Sequence, residues 1–392
     1  MPNFLAEAQE LFEYTRELRR DFHRHPELGF REVRTAKIVD QELRALGLDT
    51  STGIAETGVV ALIEGAQPGP VVLLRFDMDA LPIEEETGAE YASENPGVMH
   101  ACGHDGHVAI GLTAARMLHA RREKLAGTIK LVFQPAEEGA GGAERMVAEG
   151  VLENPTPDYS LALHLWNEQP LGWLGITEGP IMAAAEAFSI NLIGKGGHGA
   201  APHQTVDPIL AAAQIIINLQ SIVSRNIPPL ESAVVSVCNV HGGSATNIIP
   251  PAVKIQGTIR SFEPDIRALI LKRFREIVSN SAKALNCKAK IELHDVTSAV
   301  VNNPVVARRV ASIAADTLPD STVDSTAQTM GAEDMAFMMQ DIPACFCLIG
   351  SANAEKGLDF AHHHPCFDFD ETAMTHGAAL ITATAVDLLK GK

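Results

Sequence analysis

The sequence predicts an α/β protein in which a mostly parallel sheet is covered by helices and a second domain is inserted into the chain. Continuous Val, Leu and Ile runs of strand length alternate with stretches of helical spacing, a pattern typical of parallel strands buried on both faces. After residue 185 the order of strands and helices changes. The 392 residues also exceed what one hydrophobic core usually organises, so we expect two domains.

Residues 1–185 are predicted to form the first part of the larger, catalytic domain. The predicted elements are helices over 4–24, 31–46, 106–122 and 142–150 and strands over 58–63, 71–76, 128–133 and 159–163. His23 and His25 lie near the end of the first helix. Because cations favour helix C-termini, we interpret these two histidines as capping residues and not as site residues.

Residues 186–297 predict a compact inserted domain. Their order is strand, helix, strand, strand, helix, strand, which is the ferredoxin-like arrangement. The predicted elements are strands over 188–194, 233–240, 253–262 and 289–295 and helices over 207–224 and 265–285. The chain then returns to the first domain over 298–392, with a helix over 304–317, a strand over 344–349 and a helix over 371–389.

The composition excludes several classes of partner. A formal charge of −18 repels phosphate backbones and anionic membrane surfaces, so we expect neither nucleic-acid nor membrane binding. The first residues lack the basic and apolar segments of a secretory signal, which predicts a cytoplasmic protein. Six cysteines in a chain of this length do not resemble a disulfide framework, so we expect thiols that are available to bind metal.

The run 99–107 is the richest in chemical groups, with one thiol, three imidazoles and one carboxylate within nine residues. Two glycines let backbone and side chains approach one centre closely. This density favours a metal site. The alternative is a polar loop whose thiol behaves as a small buried apolar group.

Potential metal ligands also follow the predicted strands. Asp77 and Asp79 come after one strand, Glu137 and Glu138 after another, and His164 ends a third. Ligands of open α/β sheets bind beyond the carboxyl ends of the strands, so we expect these side chains to converge. A dinuclear hydrolytic centre needs about four to six donors and one further carboxylate that accepts a proton. Adjacent side chains diverge in an extended segment, so one glutamate can ligate while its neighbour handles the proton.

These stretches, taken in order, resemble a known family over nearly the whole chain. The family is that of metal-dependent amidohydrolases and metallopeptidases, which includes aminoacylases, hippurate hydrolases and auxin-conjugate hydrolases. The matching stretches are Asp77 to Pro82, Cys102 to His104, Gln134 to Gly139, Leu163 to Trp166, His362 to Pro365 and, in the insert, Gly197 to His203.

The resemblance implies a role for each matched residue. Glu137 is the expected general base, and two divalent metal ions are expected as cofactors. The expected metal ligands are Cys102, His104, Glu138, His164 and one histidine of the run 362–364. Family spacing places the last ligand two residues before the proline, which points to His363.

The resemblance also implies that the insert is a lid that forms a homodimer or a higher homo-oligomer. His198 is then expected to hold the oxyanion, and Asn247 and Arg260 to bind the carbonyl or carboxylate of the substrate. An Arg fork suits a carboxylate because it bonds both oxygens. From the residues alone, His198 between glycines is typical of a surface loop, and Arg260 equally fits a surface ion pair.

The chain departs from the strict two-zinc members of this family at two places. It has Asp77-Met78-Asp79 where they carry His-x-Asp, and Cys102 where they carry a bridging Asp, as the hippurate hydrolase branch does. Thiolate favours zinc, nickel or cobalt, whereas carboxylates also admit manganese. We expect Asp79 to orient a ligating histidine.

The expected function is hydrolysis of small N-acyl-amino acids, such as hippurate-like, acetyl or aryl-acyl conjugates, to a carboxylic acid and a free amino acid. A dipeptidase or aminopeptidase is the alternative enzyme, and it would need carboxylates that receive a substrate ammonium. A more distant alternative is a non-catalytic metal-binding dimer on the same scaffold.

Overall fold

The computed structural model describes residues 2–391. Within this range the chain forms nine α-helices, several of which begin with a proline in the first turn. The helices are α1 (Phe4–Glu10), α2 (Phe12–Arg24), α3 (Val33–Ala45), α4 (His104–His119), α5 (Gly142–Ala148), α6 (Pro208–Asn226), α7 (Pro264–Ala284), α8 (Pro304–Thr317) and α9 (Ala373–Leu388). No helix in the described range is both long and apolar enough to cross a membrane.

Sixteen strands join these helices within the same range. They are β1 (Thr50–Ile54), β2 (Gly58–Glu64), β3 (Gln67–Asp77), β4 (Ala126–Gln134), β5 (Tyr159–Pro170), β6 (Trp173–Gly175), β7 (Gly179–Met182), β8 (Ala184–Ile193), β9 (Gly197–His198), β10 (Ala233–His241), β11 (Ile248–Ile249), β12 (Ala252–Ser261), β13 (Lys288–Thr297), β14 (Val300–Asn302), β15 (Thr322–Asp324) and β16 (Ala344–Ala352).

The chain divides into two compact units. The first comprises Met1–Ile181, Val300–Gln328 and Asp334–Lys392. Its sheet has the strand order β1-β2-β4-β3-β5-β16-β6-β15. The central pairs β4/β3, β3/β5 and β5/β16 are parallel, and antiparallel pairs join β1 to β2 and β2 to β4. The predicted mostly parallel α/β fold is confirmed.

Helix α4 is the central helix of this unit, because fourteen of its sixteen residues are buried. It packs against strand β3 and helices α2 and α9. Glycine makes the closest approach feasible: a Cβ atom on Gly111 would lie 2.6 Å from the ring of Phe76 and 2.8 Å from the ring of Phe133. The same packing fixes the first turn of α4, which carries His104, at the carboxyl end of β3.

The second unit comprises Met182–Ala299 and Thr329–Glu333. Its four-stranded sheet has the order β10-β12-β8-β13, and all three pairs are antiparallel. Helices α6 and α7 pack against the sheet, and the rings of Phe188 and Phe274 meet at 4.7 Å in its separate core. The strand order is that of the predicted ferredoxin-like arrangement, which is confirmed.

Two local features differ from the predictions. The first predicted helix, 4–24, is interrupted at Leu11, whose φ and ψ of −92° and 4° separate α1 from α2. Five strands of three to five residues, namely β1, β6, β7, β14 and β15, were not predicted. They are short, and their pairing depends on neighbours that are distant in sequence.

The close approach at Gly111 leads to a test by substitution. Gly→Ala inside a helix ordinarily stabilises it by about 1 kcal/mol, but at Gly111 the new methyl group meets two aromatic rings. We expect Gly111→Ala to lower the free energy of unfolding by about 1–3 kcal/mol, measured by urea denaturation. Gly377→Ala in α9 is the matched control, because the nearest atom there is a single aliphatic methyl, Cδ1 of Ile110 at 2.9 Å, and not an aromatic ring. A Gly111→Ala protein as stable as the control contradicts this account.

Candidate metal centre

The turn before helix α4 brings the thiol of Cys102 to strand β5. Gly103 adopts the left-handed conformation with φ 95°, which glycine tolerates without strain. A Cβ on Gly106 would lie 2.7 Å from Leu165, so this turn can approach the strand only with small residues. As a result, Cys102 Sγ lies 3.5 Å from His164 Nε2.

Two histidines next to this thiol are held with their Nε2 atoms available as ligands. His104 Nδ1 donates to the backbone oxygen of Asp79 at 2.9 Å, and His164 Nδ1 donates to the backbone oxygen of Leu165 at 2.6 Å. The buried His104 Nε2 has no hydrogen-bond partner within residues 2–391. Histidine ligands of metals typically donate their other ring nitrogen in this way.

Asp79 fixes both the histidine and the glutamate pair. Its buried carboxylate accepts hydrogen bonds from the backbone N–H groups of Glu137 and Glu138, both at 3.0 Å, and its Oδ1 lies 3.3 Å from His104 Nδ1. Ala136, just before the pair, has a φ of 54° and donates its N–H to Glu32. Both glutamates nevertheless reach the same histidine, because a carboxylate oxygen of each lies within 4.8 Å of a ring nitrogen of His104.

The structure distinguishes the three histidines of the run 362–364. His362 Nε2 accepts from the N–H of Asn167, and His364 Nδ1 accepts from the N–H of Cys366. His363 differs, because its Nε2 lies 3.2 Å from Glu138 Oε1. This pairing raises the pKa of His363, whose backbone has an unusual φ of 66°. A non-glycine residue in this conformation is a feature often found at functional sites.

Five groups of potential ligands occur within residues 2–391, and two of them share the thiol of Cys102. Within each group all ligand atoms lie within 4.8 Å of one another; these two groups are Cys102, His104 and His164, and Cys102, Glu138 and His363. Burial and the nearby carboxylates of Glu138 and Glu137 raise the pKa of the Cys102 thiol. A buried thiol among carboxylates becomes a favourable thiolate only beside positive charge. The donor set therefore fits two divalent cations with a shared sulfur ligand.

Asp77 lies outside both of these groups but forms a further one with His104 and His107, whose ligand atoms also lie within 4.8 Å of one another. Its Oδ1 lies 2.5 Å from His107 Nδ1, and the Nε2 atom of that ring accepts from the N–H of Leu165. Its Oδ2 accepts from the buried Arg75 at 2.6 Å. Burial alone would raise the pKa of Asp77, but His104 and Arg75 outweigh it and hold the pKa well below its usual value. Asp77 thus remains a charged anchor for the His107 ring.

Comparison with known proteins identifies the family. The family model described as "Peptidase family M20/M25/M40" matches residues 73–387. The chain belongs to this family. The M20 relatives include thermostable carboxypeptidase 1 of Saccharolobus solfataricus, 39% identical over 97% of this chain and 96% of the relative. Another is IAA-amino acid hydrolase ILR1-like 2 of Arabidopsis thaliana, 38% identical over 99% of this chain and 88% of the relative.

A solved M20 structure agrees with the fold. The YXEP protein of Bacillus subtilis, described as a dinuclear metal-binding peptidase, is 33% identical and has a TM-score of 0.85 over 98% of this chain and all of that chain (100%). The sequence-based family assignment is confirmed, and this protein is a hydrolase of the M20 family that acts on amide bonds.

The other predicted site residues of this M20 protein belong to the second unit. His198 is exposed in β9, where its Nδ1 accepts from the N–H of Ala200. Asn247 is also exposed, and its backbone oxygen accepts from Gly199. Arg260 is half-buried in β12 and donates to Thr258 Oγ1; within the described chain it has no carboxylate partner. Burial lowers the pKa of Arg260.

Sequence reasoning missed a buried network behind the metal loop. Arg19 is fully buried and donates to Asp105 at 2.8 Å and to Asp368 at 2.7 Å. His23, interpreted from the sequence as a helix cap, is instead buried, with Nδ1 2.8 Å from Asp105 and Nε2 3.3 Å from Glu85. The cap interpretation was wrong for His23, because position in a helix does not reveal which face is covered. It holds for His25, which is the C-cap residue of α2 and whose Nδ1 lies 2.9 Å from the backbone oxygen of Asp21. His107, the ring that Asp77 holds, was also missed as a site residue. Its spacing of three residues from His104 in α4 was the signal that places both rings on one face of the helix.

Replacing Arg19 tests how much this network contributes to the free energy of unfolding. Arg19→Ala leaves Asp105 and Asp368 buried without their cation, so we expect the free energy of unfolding to fall by about 3–5 kcal/mol. The matched control is Arg20→Ala, because Arg20 is 33% exposed and its one carboxylate partner within residues 2–391 is Glu371, which predicts a loss of about 1 kcal/mol. Equal losses in urea denaturation would contradict the role given to Arg19.

Proposed function

We propose that the protein cleaves the amide bond of small N-acyl-amino acids and releases a carboxylic acid and a free amino acid. The proposed substrates are hippurate-like, acetyl or aryl-acyl conjugates. The observation that carries this proposal is the glutamate pair fixed by Asp79, in which Glu138 Oε1 lies 3.2 Å from His363 Nε2. A carboxylate oxygen of Glu137 lies next to the same centre, within 4.8 Å of ligand atoms of Glu138 and His104. Two adjacent carboxylates in different surroundings suit a ligand and a general base.

The proposed metal ligands are Cys102, His104, Glu138, His164 and His363, which would hold two divalent ions. Zinc and manganese fit this mixture of thiolate, imidazole and carboxylate donors, and nickel or cobalt also fit. When bound, such ions polarise the substrate carbonyl and lower the pKa of water. Asp79 keeps the His104 ring in one orientation throughout.

The remaining chemistry belongs to side chains of the protein. Glu137 accepts the proton of the attacking water and transfers it to the leaving nitrogen. His198 is proposed to hold the oxyanion, and Asn247 the substrate carbonyl. Arg260 is proposed to bind the α-carboxylate of the substrate. Its half-buried guanidinium, which pairs with no carboxylate of residues 2–391, supports this role.

We propose that the protein forms a homodimer or a higher homo-oligomer through its second unit. Strand β10 is an edge of the four-stranded sheet, and its Val240 is 48% exposed. Ile217 on α6 is 65% exposed. An edge strand with exposed apolar side chains favours pairing with another chain.

Two other functions remain as alternatives. The Saccharolobus relative is named a carboxypeptidase, so peptides are a second class of substrate, and a dipeptidase or aminopeptidase would bind a free ammonium group. The Arabidopsis relative is named for an acyl-amino acid conjugate without such a group, which favours the first proposal. A non-catalytic metal-binding dimer is the third candidate. Such a protein would bind metal but hydrolyse no substrate.

An assay of the metal-reconstituted protein separates these functions. Apoprotein is loaded with zinc, manganese, cobalt or nickel and tested with hippurate, N-acetyl-amino acids and free dipeptides, and kcat/KM is compared. We expect the highest kcat/KM for an N-acyl-amino acid. A preference for free dipeptides would favour the peptidase, and no turnover of any substrate would favour the non-catalytic protein.

Glu137→Gln tests the base in the same assay. The amide keeps the shape of the side chain but cannot accept the proton, so we expect kcat to fall by about 10²–10⁴-fold while the metal content stays unchanged. Glu144→Gln, an exposed glutamate of α5, is the matched control and should retain activity. If Glu137→Gln keeps most of its turnover, another group is the base.

A further inference from the structure

Asn167 is a buried amide just after the His164 segment of strand β5 and is 1% exposed. Its Nδ2 donates to the backbone oxygens of Phe360 and Asp368, both at 2.9 Å. Its Oδ1 accepts from the hydroxyl of Ser351 at 3.0 Å. Both N–H groups of the side-chain amide therefore bond to a single stretch of chain, residues 360–368.

These bonds close a loop at both of its ends. Phe360 and Asp368 begin and end the segment 360–368, which carries His363. The backbone N–H of Asn167 also donates to His362 Nε2 at 3.1 Å. One residue of strand β5 thus holds the start, the end and an interior side chain of this loop.

The loop requires such support because His363 has a φ of 66°. A non-glycine residue in the left-handed region is strained by about 1–3 kcal/mol, and such a conformation persists only where its surroundings determine it. The N–H of His363 donates to the backbone oxygen of Ala101 at 2.8 Å. This bond orients the backbone, and the Asn167 bonds hold the loop in place around it.

The first metal group depends on other supports. His104 is oriented by the backbone oxygen of Asp79, and His164 by the backbone oxygen of Leu165. Neither hydrogen bond involves the segment 360–368. The segment meets this group through the ring of His362, which packs edge-on against the ring of His164 with the ring centroids 5.3 Å apart. Because the orienting hydrogen bonds lie outside the segment, a loosened loop would move His363 away from Glu138 and Cys102 without releasing the other two histidines.

We propose that Asn167 is a positioning residue that sets the affinity of the second metal group, Cys102, Glu138 and His363, and not that of the first. This inference rests on the proposed pair of metal ions. The amide is required because it supplies two donors from one atom. Asp has the same shape but no donors, and Ala leaves two backbone oxygens without partners.

The test is a titration of apoprotein with Co²⁺, followed by its absorption bands and by metal analysis after gel filtration. Wild type should bind two ions per chain. Asn167→Ala should bind the first ion with unchanged affinity, while the Kd of the second rises about 10–100-fold. Unchanged binding of both ions, or equal weakening of both, would overturn the proposal.

Asn302→Ala is the matched control. Asn302 is also buried, and its Nδ2 donates to the backbone oxygens of Thr177 and Phe346. Within the described part of the chain it forms no hydrogen bond to the segment 360–368. It should lower the thermal midpoint and leave both Co²⁺ affinities unchanged. If Asn302→Ala also lost one ion selectively, the loss would be a general effect of lowered stability. The role assigned to Asn167 would then be overturned.

A second variant decides the question if Asn167→Ala does not fold. Asn167→Asp keeps the shape of the side chain and removes both donors, so it should show the same selective loss of the second ion. Because no substrate is used, the result is independent of the proposed activity. Wild type that binds two ions but hydrolyses no acyl-amino acid refutes the activity alone, whereas wild type that binds fewer than two ions refutes the metal pair and this inference together.

Discussion

The site depends on one close approach, that of the turn before helix α4 to strand β5. Gly103 supplies the positive φ and Gly106 leaves room for Leu165, so the thiol of Cys102 lies 3.5 Å from His164. A side chain at Gly106 would hold the helix away from the strand. The position of the Cys102 thiol in both donor groups follows from this packing.

Buried charges hold the residues around the site in place. Asp79 holds the backbone of the glutamate pair, and Asp77 holds His107 while pairing with Arg75. Arg19 compensates Asp105 in the first turn of α4. Carboxylates that are buried with cations remain charged, and charged carboxylates are the acceptors that keep imidazole rings in one orientation.

Much of the fold could be predicted because its signals are local. The predicted helix 304–317 coincides with α8, since Asn303 caps the helix and Pro304 occupies its first position. The apolar run 58–63 predicted β2 to within one residue. The family motifs likewise named the residues that the first unit brings together, from Cys102 to His363. Short strands such as β6 carried no such signal, because their pairing partners are far away in the sequence.

The supporting residues could not be predicted for the same reason. Nothing in the sequence around Arg19 reveals that its partners are Asp105 and Asp368, and nothing near Asn167 shows that it closes a loop about 200 residues later. Such contacts join distant segments, and a single sequence does not show which of them meet. The burial of His23 is a further case, because the spacing of apolar residues in α2 does not show that this side of the helix is covered.

The central claim is that the Cys102 thiolate is shared by two metal ions, and the most direct measurement is the metal stoichiometry of Cys102→Ala. Apoprotein is loaded with Co²⁺ and analysed after gel filtration, with Cys238→Ala, an exposed free thiol of the second unit, as the control. The account predicts two ions per chain in wild type and in the control, and loss of tight binding of both ions in Cys102→Ala. A Cys102→Ala protein that retains two tightly bound ions would contradict it.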